Sequence, residues 1–257
     1  MGIRINTNVE ALNAQRNLSA TAVAFGKSVE KLSSGLRINR AADDAAGLVI
    51  SEKLRGQVRG LNQATRNAQD GISMIQVGEG ALNEVHSMLQ RIRELAVQEA
   101  NGTVDVDGAA AIDAEVTSLQ AAILDIGAQT TFNGTALFTA GSVVFQTGAN
   151  SGEDFTVTLT ALAAAPDASD IDAVDLAITA ISTQRGVFGA AQNTLEHVVN
   201  SLSVAAENMA ASESRIRDLD VAAEMVNFTK TQILQQAGVA ILAQANQAPQ
   251  SVLSLLR

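Results

Sequence analysis

The 257-residue chain has no cysteine, no tryptophan and no tyrosine, and it holds only two prolines and two histidines. Each absence removes a class of chemistry. Without cysteine there is no disulfide framework, no thiolate nucleophile and no cysteine-based zinc or iron–sulfur site. Without tryptophan or tyrosine, the preferred anchors for a sugar or nucleotide ring are missing. His86 and His197 stand far apart in sequence, each without a second ligand at metal-binding spacing. Acidic residues outnumber basic ones 27 to 17, for a net charge of −10. A nucleic-acid partner would require clustered Lys and Arg instead. The cluster Gly78-Glu79-Gly80 lacks the third glycine of a dinucleotide fingerprint, and no Walker-type lysine follows a glycine loop. Asp43-Asp44 and Glu153-Asp154 are paired acids without an apolar wall or a defined partner for acid–base work. Asp43-Asp44 better suits a helix N-terminus, where acids complement the dipole. No catalytic, cofactor-binding or metal-ligating residue is assigned.

The charge is unevenly placed. Residues 1–60 hold nine Lys or Arg against five acids, whereas residues 101–180 hold eleven acids and no Lys or Arg. The middle of the chain therefore suits a solvated surface that repels its own copies. Met1-Gly2-Ile3-Arg4-Ile5-Asn6 has no apolar h-region, so no cleaved secretory peptide is expected. Asn6 stands where a myristoylation signal has Ser or Thr. Residues 231–256 carry no charge, but Gln232, Gln235, Gln236, Gln244, Asn246, Gln247 and Gln250 would each need a partner in hydrocarbon. That stretch reads as a helix covered by protein, with no membrane insertion.

Helical periodicity dominates both ends of the chain. Leu18, Ala22, Phe25, Val29 and Leu32 recur at alternating spacings of four and three, closed by Ser33-Ser34-Gly35. Further seams run Ile75, Leu82, Val85, Leu89, Ile92, Ala96 and Ile112, Val116, Leu119, Ile123, Ile126, the second ending at Gly127. The period then changes to two. Ser142 to Phe145 and Phe155 to Leu159 predict a hairpin, and Asn133-Gly134 a tight turn before it. Beyond Pro166, Ile171, Val174, Ile178 and Ile181 form one seam, and Leu195, Val198, Leu202, Ala205, Met209, Ile216 and Leu219 a longer one. The C-terminal segment carries two apolar stripes. One runs Leu219, Ala223, Val226, Ile233, Ala237, Ala240; the other runs Leu234, Gly238, Ile241, Ala245, Ala248, Val252, Leu255. A helix with two apolar stripes must bury two faces, so this segment needs more neighbours than one helix provides.

The predicted fold is mainly α. A long antiparallel helical bundle or coiled-coil rod is made from both chain ends, with a small β-hairpin region in the middle. Gly26, Gly35, Gly47, Gly56, Gly60, Gly71, Gly78 and Gly80 interrupt the first eighty residues. Each glycine inside a helix costs about 0.8–1.0 kcal/mol relative to Ala. A fully buried Leu or Ile returns about 1.5–3 kcal/mol, but only when covered. The terminal segments are therefore expected to be weakly ordered in the monomer and to gain helix when copies pack together.

Several long blocks carry a family resemblance. Leu32-Ser33-Ser34-Gly35-Leu36-Arg37-Ile38-Asn39-Arg40-Ala41-Ala42-Asp43-Asp44-Ala45-Ala46-Gly47-Leu48 resembles the N-terminal signature of bacterial flagellins. Asn67-Ala68-Gln69-Asp70-Gly71-Ile72-Ser73 and Gln90-Arg91-Ile92-Arg93-Glu94-Leu95-Ala96-Val97-Gln98 resemble its next two blocks, in order. Ala211-Ser212-Glu213-Ser214-Arg215-Ile216-Arg217-Asp218 and the end through Leu255-Leu256-Arg257 resemble the C-terminal signature. The blocks cover about two thirds of the chain.

The resemblance implies a non-enzymatic subunit without cofactor that self-assembles into the helical flagellar filament for swimming. Residues 1–44 and 220–257 would form a terminal coiled-coil inner domain. Residues 45–219 would form a helical rod with its hairpin near 130–162. The large outer domains of many flagellins would be missing. Self-assembly seams would include Leu18, Phe25, Val29, Leu32, Val226, Ile233, Leu234, Ile241, Val252 and Leu255. Implied partners are further copies of the chain, an export chaperone at the C-terminal segment, and filament cap and hook-associated proteins. The unprocessed chain would leave through the flagellar type III channel to an extracellular position in the filament. In related flagellins an animal Toll-like receptor is docked by positions that match Gln90, Arg91, Leu95 and Glu115. The alternative implied role is a hook–filament junction protein. A protease-bearing relative is the remoter alternative, and the middle of this chain offers no metal-ligand spacing for it.

Overall fold

The computed structural model describes residues 7–162, 166–167 and 170–255. Five helices carry the fold: α1 (Val9–Ser34), α2 (Ala45–Glu99), α3 (Val106–Gln129), α4 (Ile171–Arg217) and α5 (Val221–Leu255). Between α3 and α4 lie β1 (Thr131–Phe132), β2 (Thr135–Ala136), β3 (Gly141–Gln146) and β4 (Asp154–Leu159). The chain divides into two compact units, each drawing on both halves of the sequence. The first comprises residues 1–55 and 210–257, the second residues 56–209.

In the first unit α1 and α5 run antiparallel. Asn8 caps α1 by accepting the Ala11 N–H, and its side-chain amide donates to the Ala245 carbonyl at 2.7 Å. At the other end of α1, Gly35 takes φ +71°, the left-handed cap conformation that glycine adopts without penalty. The chain segments that leave α1 and α4 are then zipped together. Arg37 N–H donates to the Arg217 carbonyl (2.7 Å) and Leu219 N–H to the Gly35 carbonyl (3.0 Å). Arg217 also pairs with Glu52 at 2.5 Å. Leu219 thus lies in the break between α4 and α5, rather than in the helical seams to which periodicity assigned it. Asp44 accepts the Gly47 N–H at 2.8 Å at the start of α2, the N-terminal role expected of it. Asp43 accepts the Arg40 and Asn39 N–H groups (3.0 and 3.2 Å), and these bonds hold its carboxyl below the ordinary value.

The second unit is a helical core with the hairpin laid against it. Ile75, Leu82, Val85, Leu89, Ile92 and Ala96 of α2 are all fully buried, as their spacing predicts. They meet Ile112, Val116 and Ile123 of α3, and Val174, Ile181, Phe188 and Leu195 of α4. The hairpin pairs β3 with β4 in the register Val143↔Val157 and Phe145↔Phe155. Val157 and Leu159 point into the core, while Thr156 and Thr158 face solvent. Asn133 (φ +49°) and Gly134 (φ +80°) form the tight turn between β1 and β2, a conformation that favours this dipeptide.

Six glycines of the first eighty residues, Gly47, Gly56, Gly60, Gly71, Gly78 and Gly80, lie inside α2, which runs through them without a break. Two of these positions make room for large neighbours: a Cβ on Gly78 would lie 2.7 Å from the Phe188 ring, and one on Gly71 3.1 Å from Leu195. Close packing thus offsets the low helix propensity. Similarly, α3 does not stop at Gly127 but runs on to Gln129, where Thr130 N–H bonds back to the Ile126 carbonyl.

Candidate assembly and recognition surfaces

The face by which α1 meets α5 is built from small and polar residues as much as from apolar ones. On α1 the half-buried and buried positions recur as Ala11, Ala14, Leu18, Thr21, Phe25, Ser28 and Leu32. On α5 they recur as Glu224, Phe228, Thr231, Gln235, Gly238, Leu242 and Ala245. Both series keep the three–four spacing of a helix–helix seam. Phe25 stacks on Phe228 with ring centroids 5.0 Å apart. Ser28, 5% exposed, donates its hydroxyl to Glu224 Oε1.

Three of the five predicted α1 seam residues, Leu18, Phe25 and Leu32, lie on this face. Val29 does not: it is exposed on the flank, as is Ala22, and Thr21 and Ser28 take the seam positions beside them. Periodicity counted over apolar residues alone skips polar seam members. The unbroken heptad spacing from Ala11 to Leu32 was the signal that could have found them.

On α5 the apolar stripes face outward. Val226 is 68% exposed, Ile233 59%, Leu234 47% and Ile241 60%, joined by Met225 and Val239. Met225, Val226, Thr229, Lys230, Ile233 and Leu234 line one shallow, largely apolar groove. The intrachain partner thus leaves Val226, Ile233, Leu234 and Ile241 open, while Gly238 and Ala245 of the second predicted stripe face α1. Val252 and Leu255 belong to α5, but their side chains lie outside the described residues.

A second surface lies on the second unit. Arg91 of α2 donates through Nε to Glu115 of α3 at 2.9 Å and through Nη1 to Glu94 at 3.1 Å. These bonds, Glu115 first, raise the guanidinium's already high pKa and fix it as a cation. Gln90 is exposed one residue away and contacts His86 Nε2 at 2.9 Å. Leu95 does not share this surface: it is 2% exposed and belongs to the core. Nearby, Arg93 holds Asp175 of α4 at 2.6 Å, which lowers the carboxyl's pKa. The structure therefore joins Arg91 to Glu115 and Glu94, sets Gln90 beside Arg93, Glu94 and Asp175, and places Leu95 in the core.

Among the described residues, no helix is long and apolar enough to cross a membrane. No group of three or more His, Cys, Asp or Glu there is placed to hold a metal ion.

A mainly helical chain whose terminal helices pair through a thin seam and leave their apolar stripes outward is a structural subunit of the self-associating kind. Comparison with known proteins identifies which. The family model for the bacterial flagellin N-terminal helical region matches residues 5–142, and that for the C-terminal helical region matches residues 171–256. The chain is 53% identical to a flagellin of Halalkalibacterium halodurans, covering 98% of this chain and 99% of that one. It is 46% identical to a flagellin of Bacillus subtilis, covering 99% and 100%. The flagellar filament 33 kDa core protein of Treponema phagedenis is 48% identical, covering 98% and 99%. The crystal structure of Bacillus cereus flagellin superposes with a TM-score of 0.50 at 30% identity, over 58% of this chain and 94% of that one.

The chain belongs to the bacterial flagellin family, in a short form without a large central domain. It is a subunit of the flagellar filament and self-assembles into that extracellular polymer. The relatives favour this role over a hook–filament junction protein, and the family is structural rather than enzymatic.

Proposed function

We propose that subunits join through the outward stripes of α5, with Val226, Ile233, Leu234 and Ile241 as the main contacts. The flank of α1 around Val29 and the distal residues Val252 and Leu255 extend this surface. The observation that carries the reading is that these α5 residues stay exposed while Thr231, Gln235 and Gly238 face α1. Residues 1–44 and 220–257 then form the inner layer of the filament, and residues 45–219 the layer around it. Before assembly the same stripes are a liability, and an export chaperone that covers the C-terminal segment suits them. Export of the unprocessed chain through the flagellar type III channel, and contact with cap and hook-associated proteins at the filament ends, complete this reading.

Charged substitutions test it directly. In I233D/I241D two carboxylates would need desolvation at the subunit contact, an expensive burial. Salt-induced polymerisation followed by electron microscopy should yield no filaments, while the thermal melt of the second unit stays unchanged. Filaments of normal length from this variant would overturn the reading.

The exposed residues Gln90, Arg91 and Glu115 support a second role, contact with an animal Toll-like receptor on dissociated subunits. A fixed, half-exposed Arg is suited to polar hot-spot contacts. Arg91→Ala is expected to weaken receptor signalling at least tenfold, about 1.4 kcal/mol. Unchanged signalling would remove this role. Leu95 enters only as core support for the helix that presents the other three.

A further inference from the structure

We propose that the core of the second unit contains a binding site for a small uncharged apolar molecule, with a single aromatic ring as the fitting class. The site is a largely enclosed cavity of about 170 Å³ between α2, α3, α4 and the residues that follow β4. It shares no residue with the α5 groove.

The walls are core residues. Leu82 and Val85 of α2 are 0% exposed, Leu89 is 2% and Ile123 of α3 is 1%, and the buried Phe138 and Ile181 complete the apolar lining. Side chains buried to this degree ordinarily touch one another, because protein interiors leave few voids larger than a water molecule. Here α4 presents Ala177 and Ala180 to the cavity, two side chains of a single methyl each. The hydrocarbon that they do not supply is the volume that stays open.

Water is a poor occupant of this space, since a buried water needs several polar partners. Among the described residues of the lining, the only polar side chains are Thr160 and Gln184. Both are already engaged. The Thr160 hydroxyl donates to Gln184 Oε1 at 2.8 Å, and the Gln184 amide donates to the Thr158 carbonyl at 3.4 Å. No charged side chain is among the described lining residues. An anion would also approach through residues 101–180, which hold eleven acids and no Lys or Arg.

An apolar cavity of this size has a defined chemical preference. One of about 150 Å³, lined by Leu, Ile and Phe, stays dry and takes up benzene or xenon. The lining here is of the same residue types at a similar volume, about 170 Å³. Each wall atom that faces the void forgoes dispersion contacts, and a ring that fills the void restores them without giving up a hydrogen bond. Entry from solvent is short, because Thr160 and Ala180 both line the cavity and are both exposed.

The unaltered full-length monomer and benzene test the site, independently of filament formation. Methyl-resolved NMR during a benzene titration should show saturable shifts at Leu82, Val85, Leu89, Ile123 and Ile181, while Leu202 of the smaller core cluster stays unmoved. Benzoate carries the same ring with a charge that finds no partner inside, and it should bind at least about tenfold more weakly. Ala177→Leu should abolish benzene binding by filling the volume from α4. Ala177→Val, a smaller step that keeps the comparison valid should Leu overpack the fold, should weaken binding at least about threefold. Shifts that rise linearly with benzene, or that appear only at the outward residues of α5, would overturn the site. So would benzoate binding as tight as that of benzene, or benzene binding left unchanged by Ala177→Val.

Discussion

Gly78 and Gly80 stand two residues apart on α2 and face different surroundings. A Cβ at position 78 would meet the ring of Phe188 at 2.7 Å, and Phe188 is 1% exposed within the core. A Cβ at position 80 would meet nothing within 4 Å. Both substitutions to Ala gain helix propensity, about 0.8–1.0 kcal/mol each. Only the first overpacks the core, at a cost of about 1–3 kcal/mol. Gly80→Ala is therefore expected to raise the melting temperature. Gly78→Ala should lower it or leave it level. A thermal melt of the two single variants compares them directly, and equal stabilisation by both would contradict the close Phe188 contact. The glycines themselves were visible in the sequence. Their meaning was not, because a glycine that weakens a helix and a glycine that admits a ring are the same letter until the opposing helix is in place.

Among the elements, the helices differ sharply in how much of their surface the chain itself covers. Ile75, Leu82, Val85 and Ile92 of α2 are each 0% exposed. Along α5, none of the residues with described side chains is fully buried. Helical stability in water comes mostly from such tertiary burial. Backbone amides of α1 and α5 in the monomer are expected to exchange with solvent on the order of 100-fold faster than those in the middle of α2, a difference of about 3 kcal/mol in opening. Assembly should remove most of the difference and raise the helical circular dichroism signal. Equal protection in the monomer would refute the expectation that the termini gain order when copies pack. The same contrast explains which elements were legible. The buried α2, α3 and α4 seams and the β3–β4 hairpin each present one apolar face at the period of their structure, and that face is the buried one. For α5 the apolar pattern was equally clear, but the face used within the chain runs through Glu224, Thr231 and Gln235, which no hydropathy period marks.

For the whole molecule the dominant quantity is charge. The second unit, residues 56–209, holds eighteen Asp and Glu against five Arg, whereas the first holds nine acids against twelve Lys and Arg. Copies of this subunit must approach closely in the polymer, and their acidic units repel one another. Screening shortens the range of that repulsion, from about 30 Å at 0.01 M salt to about 8 Å at 0.15 M. Polymerisation from seeds is expected to accelerate with ionic strength over this range, as followed by light scattering. A rate that falls with added salt would mean that attraction between opposite charges dominates the encounter.

The sequence by itself determined the helical class, the hairpin, the segregation of charge and the surplus of apolar stripe at the C-terminus. These follow from local spacing and composition, which are properties of one segment at a time. It also carried the signature blocks of the family. Only the tertiary structure decided the rest: that α2 runs unbroken through its glycines, that Leu95 lies under the Arg91 surface, and that α1 meets α5 through Ser28 and Glu224. Each of these depends on what stands opposite a residue in space. A period along one helix records how many faces are apolar, but not which of them the partner takes.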